Sequence, residues 1–132
     1  MQEQEIPAPS KGQKLSLKEL NRIDVSEYKT LEKTPLVLVL DNIRSGLNVG
    51  SAFRTADAFV LQHIYLCGIT AQPPHREILK TAIGATESVD WSYTSDTLEQ
   101  VLSLQKEGYK VFAVEQAVEK TYLQDFKWPE GY

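Results

Sequence analysis

Five consecutive apolar residues, Leu36-Val37-Leu38-Val39-Leu40, give way at Asp41 to a polar loop and then to a helical pattern. An uninterrupted apolar run of this length reads as a strand covered on both faces. From Asn48 to Val60 the apolar positions Val49, Ala52, Phe53, Ala56, Phe59 and Val60 fall at offsets of three, four, seven, ten and eleven, one continuous face at the helical period. The alternation then repeats. His63 to Cys67 is a second short strand closed by Gly68, a loop carries Pro73-Pro74-His75-Arg76, and a helix from Arg76 to Ile83 stops at Gly84. Residues 88 to 93 alternate as a half-buried strand. Asp96 with Glu99 forms a capping box that opens a helix through Leu98, Val101, Leu102 and Leu104, which Gly108 ends, and Tyr109 to Val114 reads as a fourth strand.

Strands alternating with helices through short loops predict an α/β fold, a mostly parallel sheet with helices on both faces. The N-terminal part reads differently. Residues 1–14 resemble a flexible leader, Ser16 with Glu19 is a second capping box before Leu17, Leu20 and Ile23, and a further helical turn spans Ser26 to Leu31. Thr34-Pro35 ends that turn, because the residue before a proline avoids the helical region. The expected organisation is therefore a leader and helical arm over residues 1–34 and an α/β domain over 35–132. After Glu115 the periodicity fades where a parallel sheet would ordinarily add a strand and a covering helix, so the domain reads as C-terminally incomplete.

Composition narrows the setting more than the chemistry. The chain of 132 residues is 42% hydrophobic and 24% charged, ordinary for one globular domain. One cysteine, Cys67, cannot form an internal disulfide, and two scattered histidines with it make no metal set. No signal peptide or membrane-length apolar run is present, so the expectation is a cytoplasmic protein with no membrane or metal partner. The net charge is -4, which counts mildly against a polyanionic partner. Its distribution softens that objection: residues 90–132 hold eight acids against four lysines, whereas residues 1–89 are neutral overall and contain all four arginines.

The loop after the first strand carries the candidate chemistry, because ligands in open α/β sheets bind beyond the carboxyl ends of strands. Arg44, Arg54 and the start of the helix between them can hold a phosphate or another anion, with Arg54 expected to lean back over Gly50. Neither the dinucleotide fingerprint nor the P-loop is present, and a solvated Arg54 with Asn48 as an ordinary N-cap is the plain alternative. His75 and Arg76 form an exposed loop able to touch RNA, or Arg76 simply opens a helix. Lys11, Lys14, Lys18 and Arg22 either face a polyanion or belong to an arm that packs on the core.

The run Asn48-Val49-Gly50-Ser51-Ala52-Phe53-Arg54-Thr55-Ala56-Asp57-Ala58-Phe59, preceded by Leu40-Asp41-Asn42-Ile43-Arg44, closely resembles the first motif of the SpoU (TrmH-like) RNA ribose methyltransferases of the SPOUT superfamily. Gly84-Ala85-Thr86-Glu87-Ser88-Val89 is similar to that family's segment before its third strand. The resemblance implies methyl transfer from S-adenosyl-L-methionine to a ribose 2′-hydroxyl of tRNA or rRNA by a homodimer with a trefoil-knotted cofactor site. Arg54 matches the catalytic arginine and Asn48 the motif asparagine, while Arg44 matches a loop position that contacts RNA phosphate. Glu115, Gln116 and Ala117 fall where the family's first cofactor loop begins. The family's second and third motifs, a glycine-asparagine-glutamate turn and a serine-leucine-asparagine segment, do not occur, so a chain without most of the cofactor pocket and without the knot is expected. A non-catalytic RNA-binding remnant and a module for a small anionic metabolite are the alternatives.

Overall fold

A computed structural model describes residues 23–129 of the chain. The leader, the Ser16–Glu19 capping box and the basic positions Lys11, Lys14, Lys18 and Arg22 lie outside them. The elements are α1 (Val25–Thr30), β1 (Thr34–Asp41), α2 (Gly46–Ala58), β2 (Leu61–Cys67), α3 (Arg76–Ala82), α4 (Ala85–Ser88), β3 (Trp91–Thr94) and α5 (Thr97–Lys106), followed by a 3₁₀ turn at Leu123–Asp125. The three strands pair in parallel in the order β1-β2-β3, with Leu38 opposite Ile64 and Ile64 opposite Trp91.

The pleat divides the sheet into two faces. Leu36, Leu38 and Leu40 of β1 join Ile64 and Leu66 of β2 beneath α2, α3 and α4, where Val49, Phe53, Ala56, Ile78, Ala82, Ala85 and Val89 close the main core. The Phe53 ring meets Trp91 edge-on at a centroid distance of 6.4 Å. On the opposite face α5 turns Leu104 inward until it is buried. Helices on both faces are therefore what the alternating pattern predicts. The arm packs on this body through Tyr28, whose hydroxyl donates to the Asp57 carbonyl oxygen at 3.1 Å.

Four local features differ from the sequence reading. Helix α2 starts at Gly46 rather than near Asn48, because Ser45 is its N-cap and accepts from the Asn48 amide at 3.2 Å. Helix α3 ends at Ala82, since Ile83 (φ 49°) and Gly84 (φ 82°) both turn left-handed and reverse the chain. The reversal admits the short helix α4 and delays β3 to Trp91, where residues 88 to 93 read as one strand.

The fourth difference is the largest. Residues 109–114 form no strand; Val111, Phe112 and Val114 are exposed. The segment is tied to the body by Tyr109, whose amide bonds the Leu104 carbonyl and whose hydroxyl donates to Gln62 Oε1 at 3.0 Å. An apolar run becomes a strand only where a free sheet edge and covering layers meet it, and among the described residues no element covers this one.

Candidate functional site

Hydrogen bonds stitch the carboxyl ends of the three strands together. Asn42, with φ at 52°, donates its amide to the Cys67 carbonyl and accepts the Ile69 amide on its side-chain oxygen at 3.0 Å. Asn belongs here because its short polar side chain tolerates the left-handed region. The Gly68 amide bonds the Thr94 carbonyl, and the Tyr93 hydroxyl donates to the Gly68 carbonyl at 2.8 Å. Buried Thr70 lies with Oγ1 2.7 Å from the Cys67 carbonyl and 2.9 Å from that of Leu40, and accepts from the Ile43 amide. Asp41 accepts from the Thr97 hydroxyl at 2.7 Å, which fixes the start of α5 to the end of β1. Burial pushes the Cys67 thiol up, more than the hydrogen bond from Thr97 pulls it down, and Asp41 adds to the rise. A protonated, buried thiol is no nucleophile.

The loop leaving this platform carries Arg44 outward into solvent and enters α2 at Gly46. The start of α3 lies directly against it. A Cβ added to Gly46 would come 2.7 Å from Glu77 Cβ and 3.0 Å from His75 Nδ1, so only a glycine lets the two helix starts approach this closely. His75 is the N-cap of α3, its Nδ1 accepting from the Glu77 amide at 3.2 Å, and Arg76 is the first helical residue; both are exposed. Further along, Thr81 of α3 donates to the Leu47 carbonyl at 2.8 Å. The sequence-predicted Arg44, Asn48, His75 and Arg76 thus belong to two adjoining helix starts.

Arg54 stands apart from that group. Six helical positions separate it from Asn48, which is about 9 Å along the axis and about 120° around it. Its guanidinium does not lean back over Gly50. It turns toward the helix C-terminus, where Nη1 lies 3.4 Å from Asp57 Oδ2. Gly50 cannot serve as an open floor beneath the arginine because it faces α3: a Cβ there would stand 2.0 Å from Thr81 Oγ1 and 2.3 Å from the Ile78 carbonyl oxygen. The Asp57 carboxylate is largely buried and accepts from the Ser88 hydroxyl of α4 at 2.8 Å.

Asp57 and Ser88 were not singled out as functional from sequence. The only signal available was their presence in the two family-like segments. Glu115, Gln116 and Ala117 lie in the irregular, exposed segment after α5, where the Glu115 side chain accepts its neighbour's amide at 2.8 Å.

The strand-end polar groups are spent on one another, and residues 115–117 have no opposing wall. Two grooves lie away from the strand ends: one along α5 between Asp96 and Lys106, the other between α1 and the α3–α4 reversal, lined by Val25, Tyr28, Leu31, Val60 and Ile83. Among the described residues no cluster of three or more His, Cys, Asp or Glu that could hold a metal occurs, and no helix is long and apolar enough to cross a membrane.

A parallel α/β layer with exposed basic side chains at two adjoining helix starts and an exposed arginine further along the first of them defines an α/β protein with a basic helix face beside its strand ends. The pattern of the SpoU rRNA Methylase family matches residues 35–132, and the chain belongs to that family. It is 31% identical over 91 residues to the 23S rRNA (guanosine-2′-O-)-methyltransferase RlmB of Vibrio parahaemolyticus, an alignment covering 69% of this chain and 37% of that protein. The enzyme of the same name from Pseudomonas aeruginosa is 29% identical over 99 residues, covering 74% of this chain and 40% of its own length. The chain thus spans well under half the length of these relatives. Among solved structures, the SpoU methyltransferase AviRb from Streptomyces viridochromogenes, in complex with AdoMet, superposes with a TM-score of 0.52 at 18% identity, over 62% of this chain and 31% of that one. At that identity the likeness is one of fold.

Proposed function

We propose that this chain carries the RNA-facing, arginine-bearing part of a 2′-O-ribose methyltransferase acting on rRNA or tRNA. S-adenosyl-L-methionine is the donor, and the whole protein works as a cytoplasmic homodimer. The observation that carries this reading is the motif from Asn48 to Asp57 on α2, the helix that leaves the carboxyl end of β1, within a family match spanning residues 35–132.

The chemistry suits an arginine at this place. A ribose 2′-hydroxyl that attacks a methyl group loses its proton, and negative charge grows on the oxygen; a fixed cation nearby stabilises that charge. A guanidinium stays protonated at any working pH, so Arg54 acts by charge and by its fork of donors rather than as a base. In this reading Arg54 orients the phosphate beside the target ribose, and Asn48 supports the site from the start of the same helix. Arg44, His75 and Arg76 hold the RNA backbone at the paired helix starts. The methyl donor is held in a pocket that the whole protein completes. Glu115, Gln116 and Ala117 remain the positions proposed to face it in the whole protein.

The test is Arg54→Ala in the whole protein with radiolabelled methyl donor and an rRNA transcript. Turnover should fall by about 100-fold or more, the scale of losing one group that stabilises the developing charge. Donor affinity should stay within a few-fold. Undiminished turnover in that variant removes Arg54 from the mechanism.

A further inference from the structure

The orientation of Arg54 has a cause inside the fold. An exposed arginine side chain samples many rotamers, and in a helix the lean of Cα–Cβ favours reaching back toward the N-terminus. Here the guanidinium goes the other way, onto a carboxylate three residues on. The two partners are unequally placed: the side chain of Arg54 is 48% exposed, that of Asp57 only 12%.

A carboxylate so far removed from water needs hydrogen-bond donors to hold its charge, and the Ser88 hydroxyl supplies one from α4. Asp57 is also pinned by its backbone, since its carbonyl accepts from the Tyr28 hydroxyl of α1 at 3.1 Å and from the Val60 amide at 3.2 Å. Three elements therefore fix the acceptor, and the arginine is the member of the pair free to move.

We infer that Asp57 is a positioning residue that holds Arg54 in a closed arrangement, standing in for a phosphate, from which an RNA phosphate must displace it. The inference rests on the reading of Arg54 as an RNA-contacting residue. It adds a partner that weakens resting affinity and gives the site a defined closed state. The pair is long at 3.4 Å and its arginine is half exposed, so it is a weak latch that the closely spaced phosphates of an RNA backbone can open. A carboxylate beside the arginine also cancels its field, so the closed form presents little net attraction to passing polyanions.

The experiment uses the 132-residue chain and a short fluorescein-labelled single-stranded RNA, followed by anisotropy over a range of salt. Asp57→Asn keeps the shape, and Ser88 can still donate to the amide oxygen; an unchanged thermal midpoint verifies the fold. Binding should tighten about two- to five-fold, the value of a half-exposed ion pair, with a steeper salt dependence. In an Arg54→Ala background the same substitution should have no such effect. No tightening, or equal tightening with and without Arg54, overturns the inference.

Arg54→Ala alone should weaken binding. Should it leave RNA affinity unchanged, the RNA role of Arg54 fails, and nitrogen-15 relaxation of the Arg54 Nε–H group then decides the latch by itself. Greater mobility in Asp57→Asn supports the latch, and equal mobility refutes it.

Discussion

His63, which the sequence pattern places on the second strand, acquires a measurable consequence in the fold. It stands on β2 with Nε2 2.9 Å from the Ser92 hydroxyl of β3 and its ring tilted by 40° against that of Tyr65 at a centroid distance of 4.4 Å. Burial pushes its imidazole below the usual histidine range; Asp90 partly offsets this, and Lys29, which itself pairs with Asp90, adds to it. The folded chain therefore favours neutral His63. The stability this gives is fully present above the unfolded value near 6.5 and is lost as pH falls below it, because the unfolded chain then takes up a proton that the folded one resists. Between about pH 7.5 and about pH 5.5 the urea midpoint should drop more in the parent than in His63→Gln. Parallel slopes would show that His63 is not the group responsible. At this same scale Arg54 was legible from its motif, but its direction was not. That depends on a carboxylate whose burial is set by α1 and α4, which no local pattern along α2 encodes.

At the scale of elements, the sequence said little of the pairing of α2 with α3, where the two backbones approach closely. Gly46 and Gly50, four apart, are two points where α2 lies closely against the α3 segment. Gly50→Ala sets two effects against each other. Alanine gains about 1 kcal/mol of helix propensity over glycine. Its Cβ, however, would stand 2.3 Å from the Ile78 carbonyl oxygen, which as backbone cannot swing aside. Overpacking of this kind costs about 1–3 kcal/mol and wins, so α2 and α3 must separate and the thermal midpoint should fall. A midpoint at or above the parent's would show that the helices part without strain. Strand and helix periodicity located β1, β2, α2, α3 and α5 to within a few residues, since each buries one face against the sheet. It failed at residues 109–114 because a strand is a property of two chains side by side, and at α4 because two consecutive left-handed residues, one of them the β-branched Ile83, are not a pattern that hydrophobicity records.

Across the whole molecule α2 serves two surfaces at once, and this separates folding from function. Its inner side places Val49, Phe53 and Ala56 in the core with no exposure at all, while Asn48 and Arg54 look outward. Phe53 is the immediate neighbour of Arg54 and meets Trp91 of β3, so one ring joins the motif helix to the far edge of the sheet. Phe53→Ala should cost about 3–5 kcal/mol, the usual range for emptying a buried aromatic site. A domain of this size holds only about 5–15 kcal/mol in all, so that loss is a large share of the whole. Two tryptophans are present, and Trp128 is mostly exposed, so a red shift on unfolding reports chiefly on Trp91. The urea midpoint of Phe53→Ala followed by this fluorescence should fall sharply, whereas that of Arg54→Ala should stay close to the parent's. A loss of RNA binding in the phenylalanine variant would then trace to unfolded chain, and one in the arginine variant to the surface alone. Equal destabilisation by both would mean that the pairing of Arg54 with Asp57 supports the fold itself, and that the two faces of the helix are not independent.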